Sequence, residues 1–175
     1  MILGILVLSL AIIVVYGRKL RHSLGVAPRL EGKGVFGEEW PLVSVIIPAY
    51  NEGDNIKGCA ISVLDSTPLS SLEVWVVDDQ STDETLAIAQ SLLAGDSRLQ
   101  VLAGESRPGG EVWLGKNWAC TQGVKQAKGE FLLFLDADVK LQPRAIETAL
   151  QEALMLKTDL LTLLLVLPVN AFLSG

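Results

Sequence analysis

Phe131-Leu132-Leu133-Phe134-Leu135-Asp136-Ala137-Asp138-Val139 is the stretch on which the fold turns. An apolar run stops at two carboxylates one residue apart. Such a run reads as a strand buried on both faces, the habit of parallel sheets. Open α/β sheets place their ligands beyond the carboxyl ends of their strands. Asp136 and Asp138 stand at i and i+2, so both point the same way wherever the strand pleat continues. Two convergent carboxylates suit a hard divalent cation, and Mg²⁺ is commonly held by one or two of them together with substrate phosphates. A polar turn closing a strand would use the same residue types, so the pair gains meaning only from its neighbours.

Two similar junctions lie upstream. Leu72-Glu73-Val74-Trp75-Val76-Val77 is strand-like and runs into Asp78-Asp79-Gln80-Ser81-Thr82-Asp83-Glu84-Thr85. Ser81 and Glu84 have capping-box spacing, which predicts a helix from Thr85 to Leu93. Val43-Ser44-Val45-Ile46-Ile47 runs into Pro48-Ala49-Tyr50-Asn51-Glu52, with a helix expected from about Asn55 to Leu64. Strand, polar loop, helix, repeated, is the βαβ rhythm of an α/β fold with a mostly parallel sheet. The three polar loops should then share one edge of that sheet.

In their order and spacing, the Val43–Glu52 stretch, Val76-Val77-Asp78-Asp79-Gln80-Ser81-Thr82-Asp83 and Leu135-Asp136-Ala137-Asp138 resemble the nucleotide-binding half of family 2 glycosyltransferases, over roughly Leu42 to Leu165. The resemblance implies a GT-A, Rossmann-like fold. It also implies transfer of a sugar from a nucleotide-diphosphate donor to an acceptor with inversion at the anomeric carbon. Pro48, Ala49, Tyr50 and Glu52 match the loop that borders the nucleoside, and Asp79 the acid that contacts base or ribose. Asp136 and Asp138 match the motif that holds Mg²⁺ or Mn²⁺ on the donor diphosphate, with Asp136 also counted among the donor-binding residues. For Asp78 a turn or capping role and a direct donor contact both stand. Asp83, near a helix start, suits the helix dipole rather than a ligand.

Trp113-Leu114-Gly115-Lys116-Asn117-Trp118-Ala119-Cys120-Thr121-Gln122-Gly123 is a fourth element. Family members carry Gly-Lys here and an Asn shortly before a Gly; Gln122 takes the place of that Asn. The Trp-x-Gly-Lys-x-Trp-Ala form resembles the subgroup associated with hopanoid and carotenoid glycosylation. Lys116 is a candidate partner of the donor phosphates, or a solvated lysine at a helix start. Trp113 and Trp118 either border an apolar acceptor path or pack in the core. Gly110 to Asn117 nearly spells a phosphate-binding P-loop, but Asn117 lacks the hydroxyl that reaches Mg²⁺ and no buried strand leads directly into the motif.

The chain has 175 residues, half of them apolar, and a net charge of −6. Residues up to Lys33 carry +4 and the remainder −10. The acidic body argues against nucleic-acid binding, and it makes a divalent cation more necessary for a diphosphate ligand. Met1 to Tyr16 is apolar apart from Gly4 and Ser9, and meets Arg18, Lys19 and Arg21. A helix of that length spans about 24 Å, slightly short of the ~20 residues usual for a membrane span. The expectation is a transmembrane anchor at residues 1–17, a basic juxtamembrane linker at 18–40 and the GT-A domain at 41–175. The positive-inside rule then puts the globular part in the cytoplasm of a single-pass membrane protein, with a lipid-like alcohol or acid as acceptor.

Cys59 and Cys120 show neither a disulfide framework nor metal spacing, and read as reduced residues of apolar helices. With His22 the lone histidine, a histidine zinc site or a Ser-His-Asp triad is excluded. Gln142-Pro143-Arg144 opens a helix to about Leu156, and Leu160 to Leu167 reads as a further buried strand or the start of a membrane segment. The family resemblance places the acceptor site and an acidic general base beyond this point, and no residue here matches that base. The domain is thus expected to be incomplete at its C-terminus. A donor-binding module without turnover remains open, as does a nucleotidyltransferase, although that class carries a basic Gly-rich loop after its first strand and Pro48 to Gly53 has no basic residue.

Overall fold

A computed structural model describes Arg18 and residues 40–67, 70–109 and 115–163. The elements run β1 (Val43–Ala49), α1 (Ile56–Asp65), β2 (Leu72–Asp78), α2 (Thr85–Ser91), β3 (Leu99–Ala103), α3 (Gly115–Gln126), β4 (Phe131–Phe134) and α4 (Ala145–Leu156). The four strands form one sheet in the order β3-β2-β1-β4, and every pair is parallel. Parallel neighbours need crossovers on the sheet faces. The helices supply them, so β1 at the centre is covered on both sides and all its residues except Pro48 are buried.

The side chains on one face of the sheet, among them Val45, Ile47, Val74 and Val76, build the larger core with Ile56, Cys59 and Val63 of α1, Ala89 of α2 and Ile146 and Leu150 of α4. The α1 residues Ile56, Cys59, Ala60 and Val63 are buried, a spacing that places them on one side of a helix. The opposite face carries a smaller core of Ile46 and Val77 against Ala119 of α3. There α3 lies very close to the sheet. A Cβ on Gly123 would meet Ile46 Cγ2 at 2.7 Å and Val77 Cγ2 at 3.0 Å.

Several expectations are corrected. β4 is not buried on both faces: Leu132 and Phe134 are 43% and 50% exposed. Among the described residues it is the last strand on its side of the sheet, and α3 covers β1 and β2 instead. β3, which the sequence reading did not count among the strands, is a full partner of β2, and its Leu99 and Val101 reach the larger core. No strand forms over residues 160–163; the rest of the segment from Leu160 to Leu167 lies outside the described residues.

The predicted membrane helix at Met1 to Tyr16 also lies outside them, and no helix among the described residues is long and apolar enough to cross a membrane. The longest described, α3 and α4, have 12 residues each, about 18 Å of helix against a hydrocarbon core of about 30 Å. The fold is therefore the parallel sheet with its helices. The single-pass transmembrane anchor, and the cytoplasmic placement that followed from it, are withdrawn.

Candidate functional site

The carboxyl ends of β1, β2 and β4 meet at one edge of the sheet, as the βαβ reading requires. The loops after β1 and β2 are stitched together. Asn51 N–H donates to Ser81 Oγ (3.0 Å), Glu52 N–H to Thr85 Oγ1 (2.8 Å) and Gly53 N–H to Asp83 Oδ2 (3.1 Å), while Asn51 Oδ1 accepts from Thr82 N–H (2.8 Å). Asn51 and Gln80 both sit in the left-handed region, at φ 54° and 62°. Asn tolerates that region and Gln does so less readily, and such conformations gather at functional sites. The capping box does not form. The helix starts at Thr85 with Glu84 as its N-cap and no side-chain cap bond, so Ser81 lies outside the cap and its Oγ accepts from Asn51 N–H instead. Asp83 instead accepts from Thr85 N–H (3.0 Å) and from the Thr85 hydroxyl. The Thr85 hydroxyl bond is the first cause of a carboxyl pKa below the ordinary aspartate value.

The candidate donor residues fall into place as follows. Ala49 is buried, Pro48 and Glu52 are half-buried, and Tyr50 is 57% exposed beside them. The Glu52 carboxylate accepts from Asn55 Nδ2 at 2.8 Å. Asp78 is buried: its Oδ2 accepts from Ser81 N–H (3.2 Å), the turn role, while its Oδ1 is buried without a partner. Asp79 is 8% exposed, its N–H donates to Ala49 O (2.8 Å), and its Oδ2 lies 3.5 Å from Arg107 Nη2. Lys116, in the first turn of α3, pairs through Nζ with Asp136 Oδ1.

The pleat does not continue into the aspartate pair. β4 ends at Phe134, Leu135 N–H still bonds Ile46 O (3.0 Å), and Asp136 to Val139 is a turn closed by Val139 N–H on Asp136 O (3.1 Å). Both carboxylates remain exposed at the strand end. Their common field is felt beneath them. The Cys59 thiol, which donates to Asp136 O at 3.6 Å, is pushed up to about 12 by burial first and then by the charges of Asp138, Asp136 and Glu52. Among the described residues no group of three or more His, Cys, Asp or Glu side chains is disposed to hold a metal ion by itself. Asp136 and Asp138 suit a hard cation that takes its remaining oxygens from a phosphate.

Two of the clefts on the described surface bear on where the site lies. The larger, about 420 Å³, lies at the amino ends of β2 and β3 among Glu73, Trp75, Gln100 and Lys128, away from the site. The smaller, about 250 Å³, is lined by Asn51, Glu52, Gly53, Asp83 and Glu84 and borders the stitched loops. The smaller one touches the candidate site through Glu52, whereas Asp79, Lys116, Asp136 and Asp138 lie outside its lining.

Residues 44–163 match the family described as Glycosyl transferase family 2. The chain belongs to this family. It is 39% identical to a chondroitin synthase of Pasteurella multocida (strain Pm70) over 118 residues, which is 67% of this chain and 11% of that protein. It is similar to S. aureus TarS 1–349 in complex with UDP-GlcNAc, with 33% identity and a TM-score of 0.55, covering 67% of this chain and 32% of that one. It is also similar to the mannosyltransferase PcManGT from Pyrobaculum calidifontis in complex with GDP-Man and Mn²⁺, with 25% identity and a TM-score of 0.53, covering 77% of this chain and 37% of that one. The chain thus spans a small part to about a third of these relatives.

Within this family-2 chain, Gln122 and Trp118 of the fourth element gain definite partners, and Arg107, which no sequence motif contains, lies beside Asp79. Gln122 Oε1 accepts from Glu105 N–H (2.7 Å), and Trp118 Nε1 donates to Glu105 O (2.8 Å). Trp118 is thus a buried residue with a hydrogen-bonding task. Arg107 reaches Asp79 from the loop after β3. No local pattern announces it, since an Arg in a Gly- and Pro-containing stretch is an ordinary surface residue. Trp113 lies outside the described residues.

Proposed function

We propose that the chain carries the donor site of an inverting glycosyltransferase, which moves a sugar from a nucleoside diphosphate to an acceptor hydroxyl. The observation that carries this is the convergence of Asp78, Asp79, the Pro48–Glu52 loop, Asp136, Asp138 and Lys116 at the carboxyl edge of β1, β2 and β4. In this reading the nucleoside lies against Pro48, Ala49, Tyr50 and Glu52, with Asp79 and the unpartnered Asp78 Oδ1 accepting hydrogen bonds from it. Asp136 and Asp138 hold Mg²⁺ or Mn²⁺, which when bound neutralises charge on the diphosphate. Lys116 leaves Asp136 to meet the phosphates. The acceptor oxygen attacks the anomeric carbon from the far side, and the bond to the β-phosphate oxygen breaks. The nucleoside diphosphate leaves with the electron pair, and Lys116 stabilises it where charge develops. The acceptor hydroxyl's proton passes to a base outside the residues assigned here.

For a lipid-like alcohol or acid as acceptor, the support is the exposed apolar Leu132 and Phe134 on the strand that leads to Asp136. The hopanoid- and carotenoid-associated subgroup rests on the Trp-x-Gly-Lys-x-Trp-Ala form alone. The test is calorimetric titration with UDP and GDP with and without Mn²⁺. Metal-dependent binding that Asp138→Ala abolishes is the expected outcome. Unchanged affinity in Asp138→Ala removes the metal assignment.

A further inference from the structure

We propose that Arg107 is a positioning residue of the donor site, held by a Trp118–Glu105–Gln122 clamp so that its guanidinium orients Asp79 toward the nucleoside. The inference rests on the donor-site reading above and adds a residue that no motif contains. Residues 104–108 have no regular secondary structure, yet their path is tied down. Trp118 and Gln122 stand one helical turn apart on α3 and are buried, at 7% and 6% exposure. They take the carbonyl and the amide of the same residue, Glu105, at 2.8 and 2.7 Å. Residues four apart on a helix share a face, so α3 grips the loop with two adjacent side chains. The next residue, Ser106, accepts from Gln80 Nε2 at 2.8 Å, and Gln80 directly follows Asp79.

Arg107 comes next, and its Nη2 lies 3.5 Å from Asp79 Oδ2. The space for that approach exists because residue 115 has no side chain. A Cβ on Gly115 would strike Asp79 Oδ2 and come within 2.7 Å of Arg107 Nη2. Asp79 is held on its backbone side by Ala49 O. In the proposed arrangement Oδ2 faces the guanidinium and Oδ1 is the oxygen that takes the nucleoside. A planar guanidinium sets a carboxylate's orientation in a way an ammonium does not.

The experiment is calorimetric binding of UDP and UMP to the full chain in Mn²⁺, for the unsubstituted protein, Arg107→Met, Asp79→Asn and the double variant. GDP and GMP replace them if guanine is the base bound. Arg107→Met is expected to weaken the diphosphate and the monophosphate alike, by about threefold to fivefold, the upper range for a partly exposed ion pair. It should weaken neither in the Asp79→Asn background, because an effect that acts through Asp79 is non-additive with its loss. Arg107→Lys should recover part of the affinity, and urea unfolding should be unchanged because the Arg107 side chain is half exposed. Additive losses, or a loss confined to the diphosphate, would overturn the inference and make Arg107 a phosphate ligand. Failure of the unsubstituted chain to bind either diphosphate would remove the donor-site reading itself, and this inference with it.

Discussion

Two helical glycines should respond to alanine with opposite signs, and the difference tests whether α3 sits as close to the sheet as described. In an open helix, Gly→Ala stabilises by about 1 kcal/mol through backbone entropy. Gly58 in α1 meets this condition. An added Cβ there would meet Lys140 Cε at 2.9 Å and Nζ at 3.4 Å, the far end of a flexible exposed side chain. Gly123 in α3 does not. Its Cβ would press on Ile46 Cγ2 at 2.7 Å and Val77 Cγ2 at 3.0 Å, and both residues are fully buried. β-branched side chains on strands have few alternative rotamers, so the helix must lift. Overpacking of this kind costs about 1–3 kcal/mol. After the propensity gain, Gly123→Ala should be destabilising by up to about 2 kcal/mol and Gly58→Ala stabilising by up to about 1 kcal/mol. The assay is urea unfolding of both variants beside the unsubstituted chain. For a domain of this size, 1 kcal/mol moves Tm by about 3–5 °C. If Gly123→Ala is stabilising, as Gly58→Ala should be, the close approach of α3 to β1 and β2 is wrong.

Arg98→Met should cost about 2 kcal/mol in urea unfolding, since the guanidinium donates to Thr67 O (3.0 Å), Leu64 O (3.1 Å) and Asp96 and ties the end of α1 to the start of β3. Asp83 and Asp96 have carboxyl pKa values below the ordinary range, the first chiefly through Thr85 and the second chiefly through Arg98. Their stabilisation is present above the unfolded pKa of about 3.9 and is lost as pH falls through the lowered native values. Tm should therefore drop below about pH 4, and less steeply in Asp83→Asn. Cys59, pushed up to about 12, stays protonated in the folded chain after an unfolded thiol, with a pKa of about 8.5, has ionised. Its contribution is present below the unfolded value and is lost as pH rises toward 12. At pH 8 a thiol reagent should modify Cys59 only after denaturant is added, and rapid modification of the folded chain would contradict its burial.

The sequence by itself determined the parallel α/β sheet, because apolar runs that stop at carboxylates and lead into helical periodicity have few other solutions. It also placed the loops that carry Asp79, Asp136 and Asp138 at one edge, since in a βαβ series every strand ends on the same side. The helices began and ended within a few residues of expectation for the same local reasons. What only the tertiary structure decided depends on neighbours far apart in the chain. Leu132 and Phe134 belong to an apolar run, yet they are exposed because no described element covers that side of β4. Ser81 has a capping-box spacing, yet Asn51 from another loop takes its hydroxyl. The Asp136–Asp138 pleat gives way to a turn, which leaves both carboxylates exposed at the end of β4. Arg107 becomes part of the site only because Trp118 and Gln122, on a helix that follows it, hold Glu105 between them. Local propensity is written in spacing and composition, whereas a contact between loops is set by the packing of a helix on a sheet, to which both loops contribute and which neither encodes alone.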